Sequence, residues 1–548
     1  MTTTATRPPL GVNDGSGQPW AATGPLLRFA LRLDRVRIAV WALAVGLLTA
    51  ATIVSLETTY DSPDALAARG QLMSNPATIM MTGPPFAVDD YTFGAMVANE
   101  LSLWLFLATA IMSILLTVRH TRTEEESGRL EVLRALPVGR FAPAGAAALT
   151  VTAANLVVAA AAGAALITGG MAAPDSAAFA AGCALTGLVF AAVAAVTAQL
   201  TEHARGATGL AMAVLAVAFL VRGIGDVIDH QGSWVSWLSP FAWAQQTRPY
   251  VDLRWWPLAV ALVAAVALFA AAVLLARHRD LGAGVRPARP GPAAASAGLL
   301  SPAGLAWRLL RGAFAAWSVG AFFFAVAFGA LANSLEDAFA DVPELGEWIA
   351  IDLADITTGF AAAIVSFLVV APLVFTVTGV LRLRAEEESG RTEALLATGS
   401  TRPGLLGGWV AVVAAQVAVM TAVIGAGAGL GVWTGTGEAR WVSDLTAAAL
   451  VYLPAVALVG SVALALYGVA PRVAGLVWLL VVGVVLALFL GEMLALPAWV
   501  MDLSPLTHTP RLPGGELDAW PLAVMGAGAL ALTAVGVAGF RRRDVVPG

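Results

Sequence analysis

Three consecutive glutamates followed by Ser-Gly-Arg occur twice in this chain. The first copy is Glu124-Glu125-Glu126-Ser127-Gly128-Arg129-Leu130-Glu131. The second, 262 residues later, is Glu386-Glu387-Glu388-Ser389-Gly390-Arg391-Thr392-Glu393, identical at seven of eight positions. A metal site is a poor use of such a run. Neighbouring residues on a helix point in different directions, and no histidine or cysteine joins them. Ion pairing and docking suit it better. Read as a helix, Glu125 stands four residues before Arg129 and Glu387 four before Arg391, each pair worth about 0.2–0.5 kcal/mol when exposed. Arg129, Arg134 and Arg391 would offer planar guanidinium forks to carboxylates on a partner. Leu130, Leu133 and Leu136 give the first copy an apolar edge, and Leu395 and Leu396 the second. Gly139 with Pro137, and Gly399 with Pro403, predict where the helix stops. A merely solvated loop is the plainer reading of one copy. It gives no reason for a second, nearly identical one.

The rest of the chain excludes most chemistry. Of 548 residues, 59% are hydrophobic and 12% charged, against about 25% charged in soluble domains, and the mean hydropathy is +0.80. All 31 basic residues are arginine. Without lysine there is no P-loop and no Schiff-base chemistry. No other catalytic constellation appears, and the chain is expected to be no enzyme and to bind no cofactor, metal or nucleic acid. The single cysteine, Cys183, lies in an apolar run and reads as a small core residue. The five histidines are scattered and form no HExxH. Residues 1–25 contain no short apolar core of a signal peptide and read as a flexible cytoplasmic tail.

Twelve apolar runs are long enough to cross a hydrocarbon core of roughly 30 Å. They lie near 36–57, 99–118, 142–168, 177–200, 207–225 and 256–277, then 308–332, 358–381, 404–432, 444–468, 473–496 and 519–540. With both termini cytoplasmic, 25 arginines fall on the inner side and six outside (Arg69, Arg222, Arg248, Arg254, Arg440 and Arg511), as the positive-inside bias requires. The outer segment 333–357 carries seven acidic residues and no basic one. The Ala/Gly/Pro-rich stretch 281–303 reads as a cytoplasmic linker between a first half, 26–280, and a second, 304–548.

The duplication reaches beyond the octapeptide. Leu238-Ser239-Pro240 returns as Leu503-Ser504-Pro505, Trp256-Pro257-Leu258 as Trp520-Pro521-Leu522, Arg279-Asp280 as Arg543-Asp544, and Gly225-Asp226 as Gly491-Glu492, in collinear order. Six spans per half return the chain to its starting face. The expected fold is therefore an all-α membrane protein of two parallel six-helix repeats, with a pseudo-twofold along the membrane normal. Both octapeptides then face the cytoplasm, where twin loops suit a twofold-symmetric partner.

On the outer side, Glu100 and Arg222 lie at span ends. Snorkelling to water is the expectation for them, because a charge at mid-bilayer costs roughly 2.5–3.5 kcal/mol; lining an exit path is the alternative. Asp226 and Trp237 belong to the tryptophan-rich stretch 226–256, which reads as an interfacial aromatic belt or as a hairpin closing the exit. The span centres are nearly free of charge, which suits a hydrophobic or amphipathic cargo better than an inorganic ion.

Four stretches, NPATIMMTGPP (75–85), VRHTRTEEESGRLEVLRALPVGR (118–140), LSPFAWAQQTRPYVDLRWWPL (238–258) and LRAEEESGRTEALLATG (383–399), resemble those of actinobacterial ATP-binding-cassette exporter permeases. The tetronasin-type polyketide-antibiotic exporters are the nearest group. The resemblance covers essentially the whole chain, although 75–85 has no copy in the second half. It implies a permease subunit in a bacterial plasma membrane, energised by a separate homodimeric ATPase that holds the ATP and Mg. It also implies that Glu124, Glu125, Glu126, Gly128, Arg129 and Glu131, with Glu386, Glu387, Glu388, Gly390, Arg391 and Glu393, lie in coupling helices. An ion-driven twelve-span secondary transporter, whose members also carry a Gly/Arg motif after the second span, is the alternative.

Overall fold

The computed structural model describes residues 19–545 except 75, 230, 281, 286–292, 342–352 and 491–496. All regular structure among them is helical. Twelve helices are long and apolar enough to cross a bilayer, each near a run expected from the sequence. The first overshoots. Thr23–Thr59 spans 37 residues, about 55 Å at 1.5 Å per residue, so its arginine-bearing beginning stands beyond the hydrocarbon. Of the expected flexible tail, residues 1–18 lie outside the described residues, and the rest is bonded into the first unit. Pro19 and Ala21 accept the amide hydrogens of Phe141 and Gly139 at 2.9 and 3.0 Å, and Trp20 packs on Phe141 with ring centroids 5.6 Å apart.

The chain forms two compact units, residues 1–290 and 291–548. In the first, the first span packs on the third (Ala142–Thr168), the second (Phe93–Val118) on the fourth (Ala173–Leu200), and the sixth (Trp256–Arg277) also on the fourth. The second unit repeats this order. Its seventh span (Pro302–Asp341) packs on the ninth (Arg402–Thr436). The eighth (Thr357–Glu388) and the twelfth (Ala519–Arg542) both pack on the tenth (Arg440–Val469). Two long helices of the second unit are interrupted, at Val369 and at Tyr452. Pro372 and Pro454 follow within a few residues and lack the amide that an uninterrupted helix needs. The acidic stretch 333–357 lies partly outside the described residues, and Gly491-Glu492 lies wholly outside them.

Small residues set the packing distance, as expected where lipid is as apolar as the interface. In the first unit the Ser113 hydroxyl and the Asn155 amide bond each other between the second and third spans, at 2.8 and 3.1 Å. A Cβ on Gly187 of the fourth span would fall 1.8 Å from the Asn155 oxygen, so only glycine admits that buried pair. In the second unit the Trp409 indole donates to the Gly379 carbonyl at 2.9 Å. Large aliphatic side chains such as Leu47, Val263, Leu479 and Leu530 point outward, the arrangement of a protein whose solvent is hydrocarbon. Cys183 is fully buried in the first core.

Candidate coupling site

Each octapeptide is the foot of a span. The second span continues through Arg119–Thr123 to Glu126, and the eighth runs to Glu388. The helix then stops at glycine. Gly128 and Gly390 have φ of 74° and 75°, a conformation that costs other residues about 1–2 kcal/mol. Their amides bond back to the carbonyls of Glu125 and Glu387 at 3.0 and 2.8 Å. Short helices, Arg129–Arg134 and Arg391–Ala397, follow.

This break corrects the expected pairing. Because the helix does not run through the glycine, Glu125 and Arg129 never stack one turn apart, nor do Glu387 and Arg391. Arg129 instead holds Glu124 through two bonds of 2.8 and 3.0 Å. Arg391 holds Glu386 at 2.5 Å, with Arg382 on the other carboxylate oxygen at 2.9 Å. The forks expected to reach for a partner are therefore already occupied. Arg391 is nonetheless 54% exposed and Arg129 62%.

The central glutamates have a role that spacing could not give. The Glu125 carboxylate receives the Arg279 guanidinium in a two-pronged pair of 2.6 and 2.8 Å. It also takes the Gly282 amide at 2.8 Å and Arg122 at 2.8 Å. In the second unit Glu387 receives Arg543 the same way, at 2.5 and 2.6 Å. Both glutamate side chains are only 5% exposed. Each half thus clamps the end of its second span to the residues just after its last span, by the same residue types in the same geometry. Bidentate pairs of this kind hold orientation as well as charge. Arg543 also lies over the Tyr467 and Phe540 rings, 5.1 Å from each. In the first half, Arg279 donates to Gln199 at 2.6 Å and Arg122 to the Ala283 carbonyl at 2.9 Å. The beginning of the expected linker is therefore tied into the first unit.

The third glutamates differ. Glu126 accepts the Ala204 amide at 2.9 Å, at the start of the fifth span (Ala204–Ile228), where a carboxylate opposes the positive end of the helix dipole. Glu388 pairs with Arg384 at 2.7 Å. Glu131 and Glu393 lie exposed on the short helices. Leu130 and Leu133 are half-buried, while Val132 and Leu136 face outward. The sequence reading missed Arg279, Arg543, Arg122 and Asp34 as functional groups. Asp34, fully buried on the first span, gathers Arg37, Arg119 and His120. The echo of Arg279-Asp280 in Arg543-Asp544 was the available signal for the clamp.

At the opposite end of the first unit, Arg222 does not snorkel. It is fully buried and pairs with Asp226 at 3.1 Å. It donates to the carbonyls of Ile79, at 3.1 Å, and Met80, and Asp226 takes the Ser236 hydroxyl at 2.6 Å. Three elements explain the burial: the helix Pro76–Thr82, the fifth span and the turn at Ser236 close over the pair and satisfy most of its donors. Glu100 pairs with Arg69. Trp237 stacks on Trp256, with ring planes 8° apart and centroids 5.1 Å apart. All four exit-side candidates thus lie at this end of the first unit, each paired or stacked with a neighbour.

Twelve apolar helices define a multi-pass membrane protein. The chain belongs to the family described as multidrug efflux system permease Rv1217c, C-terminal domain, whose model matches residues 24–277 and 299–541. It is 35% identical over 539 residues to the multidrug efflux system permease protein Rv1217c of Mycobacterium tuberculosis strain ATCC 25618 / H37Rv, across 96% of each chain.

Proposed function

We propose that this chain is the membrane subunit of an ATP-driven exporter of hydrophobic or amphipathic small molecules. A separate homodimeric ATP-binding-cassette ATPase would dock on the two octapeptide feet and hold the ATP and Mg. The observation that carries the reading is the recurrence of one clamp in two units. Each clamp fixes the foot to its own half and leaves the same pair, Arg129 with Glu131 and Arg391 with Glu393, facing outward. A rigid foot can pass a push from below into the helices it is bonded to, and the equilibrium between inward and outward access would shift with it. In this reading the chain does no covalent chemistry. It lies in a bacterial plasma membrane with both termini cytoplasmic. The relative's multidrug efflux name supports a cargo of varied apolar molecules.

The test is co-expression with the candidate ATPase, followed by measurement of complex formation, ATPase stimulation and efflux. Efflux that requires ATP and a stoichiometric ATPase supports the proposal. Efflux that survives ATP depletion but collapses with a protonophore overturns it in favour of an ion-driven transporter.

A further inference from the structure

A cavity of about 160 Å³ opens beside the clamp of the first unit, far more than one water requires. Its walls come from the foot of the second span, the short helix after it, the start of the third span and the end of the sixth. Four arginines line it against one glutamate, and that glutamate, Glu125, is already held by Arg279 and Arg122. The other three arginines, Arg134, Arg140 and Arg277, have no carboxylate partner among the described residues. Arg140 and Arg277 both rest on Phe141, each guanidinium 5.8 Å from the ring, so a shared aromatic surface orients them. The charge left over is positive and aimed at one space.

Depth identifies the ligand. Arg277 is the last residue of the sixth span and the third begins at Ala142, so these guanidiniums lie where hydrocarbon gives way to headgroups. The buried floor is polar, with Glu125 and Gln199, while Leu130, Phe141, Pro143, Ala144 and Ala276 add apolar surface beside the exposed cations, which matches a phosphate joined to acyl chains. Basic pockets at this level hold anionic headgroups. We propose that this cavity binds the phosphate of one anionic phospholipid. The second unit does not repeat the site: Leu396 replaces Arg134 at the same offset, and Arg402, the counterpart of Arg140, donates to the Phe540 carbonyl at 3.2 Å and to that of Arg543. The inference is independent of the ATPase reading.

The experiment is native mass spectrometry of the full chain in detergent, titrated with dioleoylphosphatidylglycerol or dioleoylphosphatidylcholine. Wild type should retain one phosphatidylglycerol with a preference of about tenfold or more. Removing one guanidinium should weaken that binding about fivefold in each of Arg134→Gln, Arg140→Gln and Arg277→Gln, and the triple variant should show no preference. Arg472→Gln, an exposed position in the second unit, should leave it unchanged. Equal binding of both lipids overturns the proposal, as does a preference that persists in the triple variant. Full displacement by millimolar inorganic phosphate would make it a free-anion site and overturns the lipid assignment. Loss of ATPase binding with lipid preference intact would make it a protein interface, with the same result. If the triple variant does not fold, the three single variants decide, since each alters an exposed side chain.

Discussion

Glu125 and Glu387 are chemically ordinary carboxylates whose importance comes from a partner more than 150 residues away. Buried and forked onto Arg279 and Arg543, they should resist separation from those partners. A double-mutant cycle of Glu125→Gln and Arg279→Gln, read by thermal unfolding in detergent, should return a coupling of about 1–3 kcal/mol, and the Glu387/Arg543 cycle should match it. Additive losses in either half would remove the clamp from the account. Asp226 is a harsher case. Asp226→Asn leaves the Arg222 charge buried without a counter-ion, which costs about 3–5 kcal/mol. A fall in melting temperature of several degrees is expected, and a partner change Arg222→Met in the same chain should recover part of it. Gly128→Ala meets no atom within 4 Å, so its cost should be the backbone strain alone, about 1–2 kcal/mol, with insertion unaffected.

At the scale of elements, the feet are shaped by where helices stop and the spans by where backbones touch. The glycine in each octapeptide turns the chain out of its span. Close approach governs the tenth and twelfth spans in the same way. A Cβ on Gly468 would lie 2.1 Å from the Gly536 carbonyl oxygen, a backbone atom with no rotamer to yield. Gly468→Ala should therefore push the twelfth span outward and destabilise the second unit by about 1–3 kcal/mol, seen as a lower melting temperature and faster proteolysis near the C-terminus. An unchanged melting temperature would mean that the two helices are free to separate. Gly128→Ala and Gly468→Ala thus separate two uses of glycine, conformation in one and contact in the other.

For the molecule as a whole, the decisive question is whether the exposed faces of the two feet receive work from outside. Glu131 and Glu393 are exposed and lie on the short helices, away from the clamps. In the double variant Glu131→Arg/Glu393→Arg the fold should melt at the wild-type temperature while ATPase stimulation and efflux are lost. Each single variant should retain part of both. Loss of activity accompanied by loss of folding would assign these residues to stability, and full activity in the double variant would remove the feet from the docking surface.

The residues that made the site visible were the repeated ones, and repetition is a property of the sequence. Composition determined that the chain lives in lipid, because so few charges cannot cover a water-facing surface. Apolar run lengths determined twelve spans, and the octapeptide marked the feet. Helix ends were less legible: the first span begins 13 residues before its apolar run, since hydrogen bonding along the axis continues after hydrophobicity ends. The tertiary structure decided the partners. Spacing paired Glu125 with Arg129, because a sequence offers only neighbours; the fold paired it with Arg279. It likewise buried Arg222, which hydropathy had sent to the surface. Ion pairs between distant segments depend on which span ends the packing of helices brings together, and no local pattern contains that information.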